Sequence, residues 1–383
     1  MKIKRVLFFS RGDSNNVSTW SNVPYLFCQT LEEKGIEVIR INYETCNKMC
    51  YAWNKTIFPI LRLLYKNNQY EGIRTRWNNW LTWKKIQTSI VNNPDVDLCI
   101  FMGFSFYNKF NNIPSILFGD WTYELLIKDR LKRNPYFFEK KTIRQETEAL
   151  TKADLVVTLF PKCKEFILEN TPSCNIKWGK MNVINTLYKC DLNHKIIIKT
   201  KCESLKVLFI GRKQYIKGAE LLIDSFDRLK KNKSKLKLEL HIIGLEKKDF
   251  IFLSSKFYCH GFLRKDNKIE RDLYYQLITT AKIFVNPTPE WGGYSSTIEA
   301  MYYYTPIIIS PYRDFTEEFG HTINFGIYNK EFSIDSLTQN MTKILDLNAY
   351  DYEEMCVSAH NAVKNYTWDR YVDWILKECE NLN

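Results

Sequence analysis

The chain has 383 residues, 45% of them hydrophobic and 15% aromatic, and carries a net charge of +12. That length suits two domains with large cores better than one, and no apolar run approaches the roughly 18 residues of a membrane-spanning helix. The charge points to an anionic partner, whether nucleic acid, membrane surface or phosphorylated substrate, or to simple bias in a chain rich in Lys, Asn, Ile and Tyr.

The start, KIKRVLFFS, reads as a first buried strand (Arg5 to Phe9) and not as a secretory signal. A polar loop, SRGDSNNVST, leads to a helix from Asn22 to Glu33, closed by Lys34-Gly35. IEVIRINY then alternates and returns to the sheet, giving a βαβ opening and a parallel sheet. Residues 48–90 hold two stretches of helical apolar spacing, rich in Lys and Arg, with Glu71 as the single acid and Trp53, Trp77, Trp80 and Trp83 interleaved. Such a segment lies on an anionic membrane surface, or else turns its aromatics into the core and its cations to water. Asp95 to Gly103 is a strand. Its Asp95-x-Asp97 sits at the amino end of the sheet, away from where this architecture binds ligands. Ile113 to Phe118 is the next strand. Asp120 lies just past its carboxyl end, in ligand position and equally able to cap a helix starting near Tyr123. A basic helical segment spans Leu126 to Leu150; ADLVVTLF (strand), KCKEFILEN (helix) and KMNVIN (strand) follow. Residues 186–204 show no clear period and read as a linker.

The pattern restarts with a strand at Leu205 to Gly211, a loop, and an amphipathic helix from Ala219. Strands follow at Leu238 to Gly244 and Phe257 to Leu263, and a helix at Asp272 to Thr280. AKIFV (Ala281 to Val285), the loop NPTPEWGGYSST, a helix containing Glu299 and the run IIIS (Ile307 to Ser310) form a strand–loop–helix–strand unit. Helices at Arg313 to Phe319, Ser333 to Leu347, Tyr350 to Lys364 and Trp368 to Cys379 complete the chain. Strands alternating with helices in both halves give an α/β protein of two doubly wound, Rossmann-like domains. The expected division is 1–187, 188–364 and a terminal helix, 365–383, packing back on the first domain.

Ligands bind such sheets at strand carboxyl ends. There the second half offers Arg212 and Lys217 beside a helix N-terminus, an arrangement that suits a diphosphate, or two cations merely facing water. Gly292 and Gly293 let the backbone approach a ligand closely, and the N–H groups of Ser295, Ser296 and Thr297 point at the same phosphates. Glu299 can accept hydrogen bonds from ribose hydroxyls, or compensate a helix dipole. The odd, scattered set of eleven cysteines and five histidines has no zinc-ligand spacing, and buried thiols in a reducing cytosol are the plain reading.

Gly211-Arg212, Lys217-Gly218, IIG at Ile242 to Gly244, HGFL at His260 to Leu263 and Glu299-Ala-Met with Thr305-Pro306 together resemble the family 4 retaining glycosyltransferases of GT-B fold. ADLVVT and the tail KNYTWDRYVDWILKE add to the likeness, which is good over 205–320 and faint across the first 200 residues. The resemblance implies a nucleotide-sugar donor, UDP- or GDP-linked, on the second domain and a lipid-linked or saccharide acceptor on the first, without a metal or other cofactor. Arg212 and Lys217 would neutralise the departing diphosphate and Glu299 would hold the ribose. Phe262, Leu263, Gly292, Gly293, Tyr294, Ser295 and Ser296 would line the nucleotide. The family's second acid, eight positions before that Glu, is Trp291 here; either the register shifts and Glu290 reaches the sugar, or the contact is lost. Where the family often places a His in the first domain, Asp120 is the nearest ionisable group, for donor-sugar hydroxyls or the acceptor. The function so implied is sugar transfer with retention in surface polysaccharide or glycolipid synthesis, in the cytoplasm or peripherally at the inner membrane face. The alternatives are a non-catalytic GT-B-like binding protein and a sugar-nucleotide epimerase. No motif of a nucleic-acid reader appears.

Overall fold

The short runs of consecutive apolar residues become parallel strands buried on both faces, as sheets covered by helices require. The computed structural model describes residues 3–45, 48–178, 184, 186–187, 194–250, 257–289 and 294–382. The chain divides into two units, Met1–Met181 with Tyr371–Asn383, and Asn182–Arg370.

The first unit holds β1 (Arg5–Ser10), β2 (Glu37–Asn42), β3 (Leu98–Met102), β4 (Ser115–Gly119), β5 (Leu155–Thr158) and β6 (Ile176–Trp178), in the order β2-β1-β3-β4-β5-β6. Every pairing is parallel. β3 and β4 are buried throughout, whereas edge strand β2 is half-exposed, which its alternating sequence anticipates. The second unit holds β7 (Lys206–Ile210), β8 (Glu239–Ile243), β9 (Tyr258–Cys259), β10 (Ile283–Asn286), β11 (Ile307–Ile309) and β12 (Gly326–Tyr328). Its order is β12-β11-β10-β7-β8-β9, again all parallel. The α/β fold of two doubly wound sheets is therefore as expected. Strand order reverses between β1 and β3 in one sheet and between β7 and β10 in the other, and crevices for ligands open at the carboxyl ends of such pairs. Helix Trp368–Glu380 contributes its residues from Tyr371 onward to the first unit. There the Tyr371 ring meets Phe118 edge-on at 6.0 Å and Asp373 pairs with Lys34 at 2.7 Å.

Several elements differ from expectation. The segment 126–150 is not one helix: a π-turn at Leu126–Arg130 ends near Lys132, which has φ +51°, and helix resumes only at Lys140–Lys152. Pro135 holds the preceding residue out of helical geometry. The intervening turn is locked by buried Glu139, which accepts two 2.7 Å bonds from Arg133. Residues 186–204 are not all linker, because His194–Glu203 is a helix with Ile197, Ile198 and Lys201 buried. The helix expected from Asp272 starts at Lys268, where the Asn267 side chain accepts the N–H groups of Ile269 and Glu270. The first apolar stretch of 48–68 is two helices, Lys48–Lys55 and Ile57–Leu64, broken at Thr56. The strand expected at KMNVIN lies mostly outside the described residues, and β6 precedes it.

Candidate active site

In the second unit the switch point brings Gly211-Arg212, after β7, beside the loop that follows β10. Two glycines allow the close approach. A Cβ on Gly244 (φ +94°) would stand 2.4 Å from the Gly211 carbonyl oxygen, and one on Gly218 would stand 2.2 Å from Thr288 Oγ1. Gly218 thus lets the start of helix Ile216–Asn232 pack directly on the β10 loop. Thr288 is held there by its own hydrogen bond to Asn286 Oδ1, 2.7 Å.

Arg212 and Lys217 are both exposed at this point. The Arg212 guanidinium stands 4.9 Å from the Phe262 ring, itself 55% exposed, and among the described residues neither cation has an acidic partner. Neighbouring Lys213, by contrast, pairs with Asp249 at 2.9 Å. Helices Ile216–Asn232 and Ser295–Tyr302 both begin without a side-chain cap. The first of them continues a 3-10 turn, Lys213–Tyr215, whose Lys213 carbonyl accepts the Ile216 N–H. At the second, the first N–H groups have no partner within the helix, and Ser295 and Ser296 stand half-exposed there. An open helix end and two cations without acidic partners among the described residues make an anion-seeking locus.

Glu299 is the fifth residue of its helix and only 3% exposed, so dipole compensation in the first turn is not its role. Its carboxylate accepts Lys265 Nζ at 2.9 and 3.1 Å and the Tyr274 hydroxyl at 2.7 Å. Burial, then the negative charge of Glu299, hold the Tyr274 hydroxyl well above its ordinary pKa, so it remains a donor. Sequence reasoning missed Lys265 and Tyr274; a cation two residues beyond the HGFL turn was the available signal. Leu263 is buried at 8% exposure, and beside it a cavity of about 440 Å³ runs past His260, Gly261 and Phe262. His260 Nε2 and His241 Nδ1 lie 3.0 Å apart, and burial lowers the pKa of both, which favours neutral rings.

Tyr294 differs from expectation. Its ring is fully buried among Phe315, Tyr312 and Phe319, and its hydroxyl donates to the Asp314 carbonyl, so its side chain anchors the helix start without reaching solvent. Glu290, Gly292 and Gly293, with Trp291, lie outside the described residues.

In the first unit Asp120 follows β4, as expected, but it does not cap the next helix. Thr122 does, its hydroxyl accepting the Leu125 N–H at 3.1 Å. Asp120 Oδ1 accepts the Trp121 N–H at 2.8 Å, and burial pushes the carboxyl above its usual range against the pull of that bond and of Arg130. It borders a polar cavity of about 300 Å³ with Arg11, Arg74, Asn78, Asn79 and Glu146. Glu146 is fixed there by Ser105 Oγ (3.0 Å) and the Tyr123 N–H (2.6 Å). Asp97 instead accepts the backbone N–H groups of Lys4 and Arg5, and Asp95 pairs with Arg5, so that acidic pair ties down the amino end of β1. Among the described residues no three His, Cys, Asp or Glu converge as metal ligands, and no helix is long and apolar enough to cross a membrane.

Residues 193–365 match the family model described as glycosyl transferases group 1. No curated protein sequence matches the chain. Among solved structures it is similar to a glycosyltransferase from Rickettsia africae ESF-5, with a TM-score of 0.65 at 16% identity over 100% of this chain and 99% of that one. Sucrose-phosphate synthase from Thermosynechococcus elongatus gives 0.64 at 13% identity over 99% of both chains. Anabaena HepE, solved with UDP-glucose, gives 0.59 at 14% over 98% of this chain and 99% of that one. Likeness at such identities speaks for the fold. The family match thus covers 193–365, and the likeness along the whole chain gives the GT-B fold.

Proposed function

We propose that the protein transfers a sugar from a UDP- or GDP-linked donor to a lipid-linked or saccharide acceptor, with retention of configuration, in surface polysaccharide or glycolipid synthesis. The observation that carries this reading is the pair of exposed cations, Arg212 and Lys217, without acidic partners among the described residues, at the β7/β10 switch point beside an open helix end. A leaving nucleoside diphosphate needs fixed positive charge where its own charge develops, and preorganised N–H groups and cations provide it. Glu299, one helix turn further in, takes the ribose hydroxyls. The acceptor attacks on the face the diphosphate leaves, and a leaving phosphate oxygen takes the acceptor's proton. The solved relative with UDP-glucose supports a nucleotide-sugar donor. Asp120, at the polar cavity of the first unit, is the candidate to meet the acceptor.

Melting the protein with a panel of UDP-, GDP- and dTDP-sugars tests this. UDP or GDP should raise the melting temperature, and Arg212→Ala and Lys217→Ala should each weaken binding about tenfold or more, the value of a charge-assisted hydrogen bond. No nucleotide response in the wild-type chain refutes the reading. Binding without sugar release, with acceptor lipid extracts present, assigns the chain to nucleotide-sugar binding without catalysis.

A further inference from the structure

The broken helical segment of 48–64 is apolar where it meets water. Helix Ile57–Leu64, IFPILRLL, buries none of its residues. Ile57, Ile60 and Leu64 recur at i, i+3 and i+7 on one face, exposed 40%, 55% and 68%, and Leu63 beside them is 86% exposed. The partner helix Lys48–Lys55 also buries nothing and presents Met49 and Tyr51. Six large apolar side chains within 16 positions are thus left in solvent, a concentration that marks an interaction surface.

Charge identifies the occupant. Lys48, Lys55 and Arg62 are exposed along the segment and Lys66 just beyond it, and Glu71 is the single acid between 45 and 94. Lys55 Nζ stands 5.8 Å from the Tyr51 ring and the Arg62 guanidinium 5.9 Å from that of Phe58. Cations that run alongside apolar rings while keeping their heads in water suit the boundary between acyl chains and headgroups. Trp53 and Trp83 take no part. The Trp53 N–H donates to the Tyr70 carbonyl at 3.3 Å, and Trp83 packs against Phe106 and Tyr107.

We propose that the helical segment Lys48–Leu64 docks the protein on an anionic lipid surface, with Ile57, Ile60, Leu63 and Leu64 entering the acyl boundary and Lys55 and Arg62 at the headgroups. An eight-residue helix offers little area, so apolar contact and anionic lipid are both required and binding is reversible. The docking stands apart from the transferase reading. Only its corollary, that the acceptor is presented at that surface, rests on it.

Flotation of the full chain with vesicles of phosphatidylcholine, with and without phosphatidylglycerol, tests the proposal. Binding should need phosphatidylglycerol at about 0.1 M salt and vanish near 1 M, where the screening length is about 3 Å. The double variant Leu63→Glu/Leu64→Glu, both at largely exposed positions, should keep its melting temperature and lose on the order of 30-fold in vesicle affinity. Tyr350→Glu, at a 71% exposed position in the second unit, should bind as wild type. No flotation at low salt overturns the proposal, as does flotation that Leu63→Glu/Leu64→Glu leaves intact. A concentration-dependent dimer abolished by the same variant, without vesicle binding, assigns the patch to a second copy of the chain and overturns it too. Nucleotide-induced thermal shift measured on the same variant is expected unchanged, which separates failure of docking from failure of the donor site.

Discussion

Lys265 occupies the carboxylate that the ribose is proposed to need, and removing it should push stability and nucleotide affinity in opposite directions. The pair is nearly dry, with side-chain exposures of 14% for Lys265 and 4% for Glu299. Breaking a buried pair by deleting one partner costs about 3–5 kcal/mol. Lys265→Met keeps the stem packed near Tyr274, and Glu299 keeps the Tyr274 hydroxyl, so a loss of about 2–3 kcal/mol in urea unfolding is expected. For UDP the sign reverses. In the wild type a ribose must displace two charge-assisted bonds before making its own at about 1.5–3 kcal/mol each. In the variant the carboxylate is already open, so a gain of about 1–2 kcal/mol, roughly 5- to 30-fold in Kd by calorimetry, is expected. Pairing the variant with Glu299→Gln should return a coupling energy of about 2 kcal/mol in stability. Unchanged or weaker UDP binding in a folded Lys265→Met variant refutes the competition, and a coupling near zero refutes the ion pair.

Other outcomes follow from the same geometry. Gly218→Ala should cost about 1–3 kcal/mol, since its Cβ meets Thr288 Oγ1, and the further change Thr288→Ala should recover part of it in the same unfolding assay. Burial alone would raise the Glu139 carboxyl, but the Arg133 fork and the Tyr136 N–H bring it below its ordinary value. Its contribution is therefore complete above the unfolded pKa of about 4.3 and lost as pH falls through the lower folded value, so Glu139→Gln should flatten the acid limb of the Tm–pH curve. Asp120 is shifted the other way, by burial, so ionisation there opposes folding at neutral pH. Asp120→Asn should raise Tm at pH 7 and lose that advantage below the usual Asp range. Lys201→Met leaves the Ile278 and Ala281 carbonyls and Thr305 Oγ1 without the ammonium that bonds them, at an expected cost of about 2–4 kcal/mol by urea unfolding.

Strands were the most legible part of the chain, because a strand buried on both faces has to be a short unbroken apolar run. Where helices were misread, a specific residue hid the pattern. In His194–Glu203 the position four after Ile197 is Lys201, a cation with 0% exposure inside the apolar stripe, so the period vanished. In 126–150 the apolar spacing continued across Pro135 although the backbone could not. β12 is three residues long, too short to stand out. The positions of Arg212, Lys217 and Glu299 were legible because strand ends and helix starts fix them. Lys265 was not, since its contact with Glu299 spans 34 positions and depends on how the HGFL turn folds back.

Lys201 also bears on where this protein can be cut. Its ammonium reaches from helix His194–Glu203 to the carboxyl-end carbonyls of helix Lys268–Thr280 and to the turn before β11, joining segments 77 to 104 positions apart. A recombinant fragment meant to hold the second unit alone would naturally be started at β7, the first strand of its sheet. Such a fragment would lack the plug for a pocket of inward-facing oxygens, which water or a neighbouring chain would then fill. The shortest second-unit fragment that keeps its interior closed begins before His194.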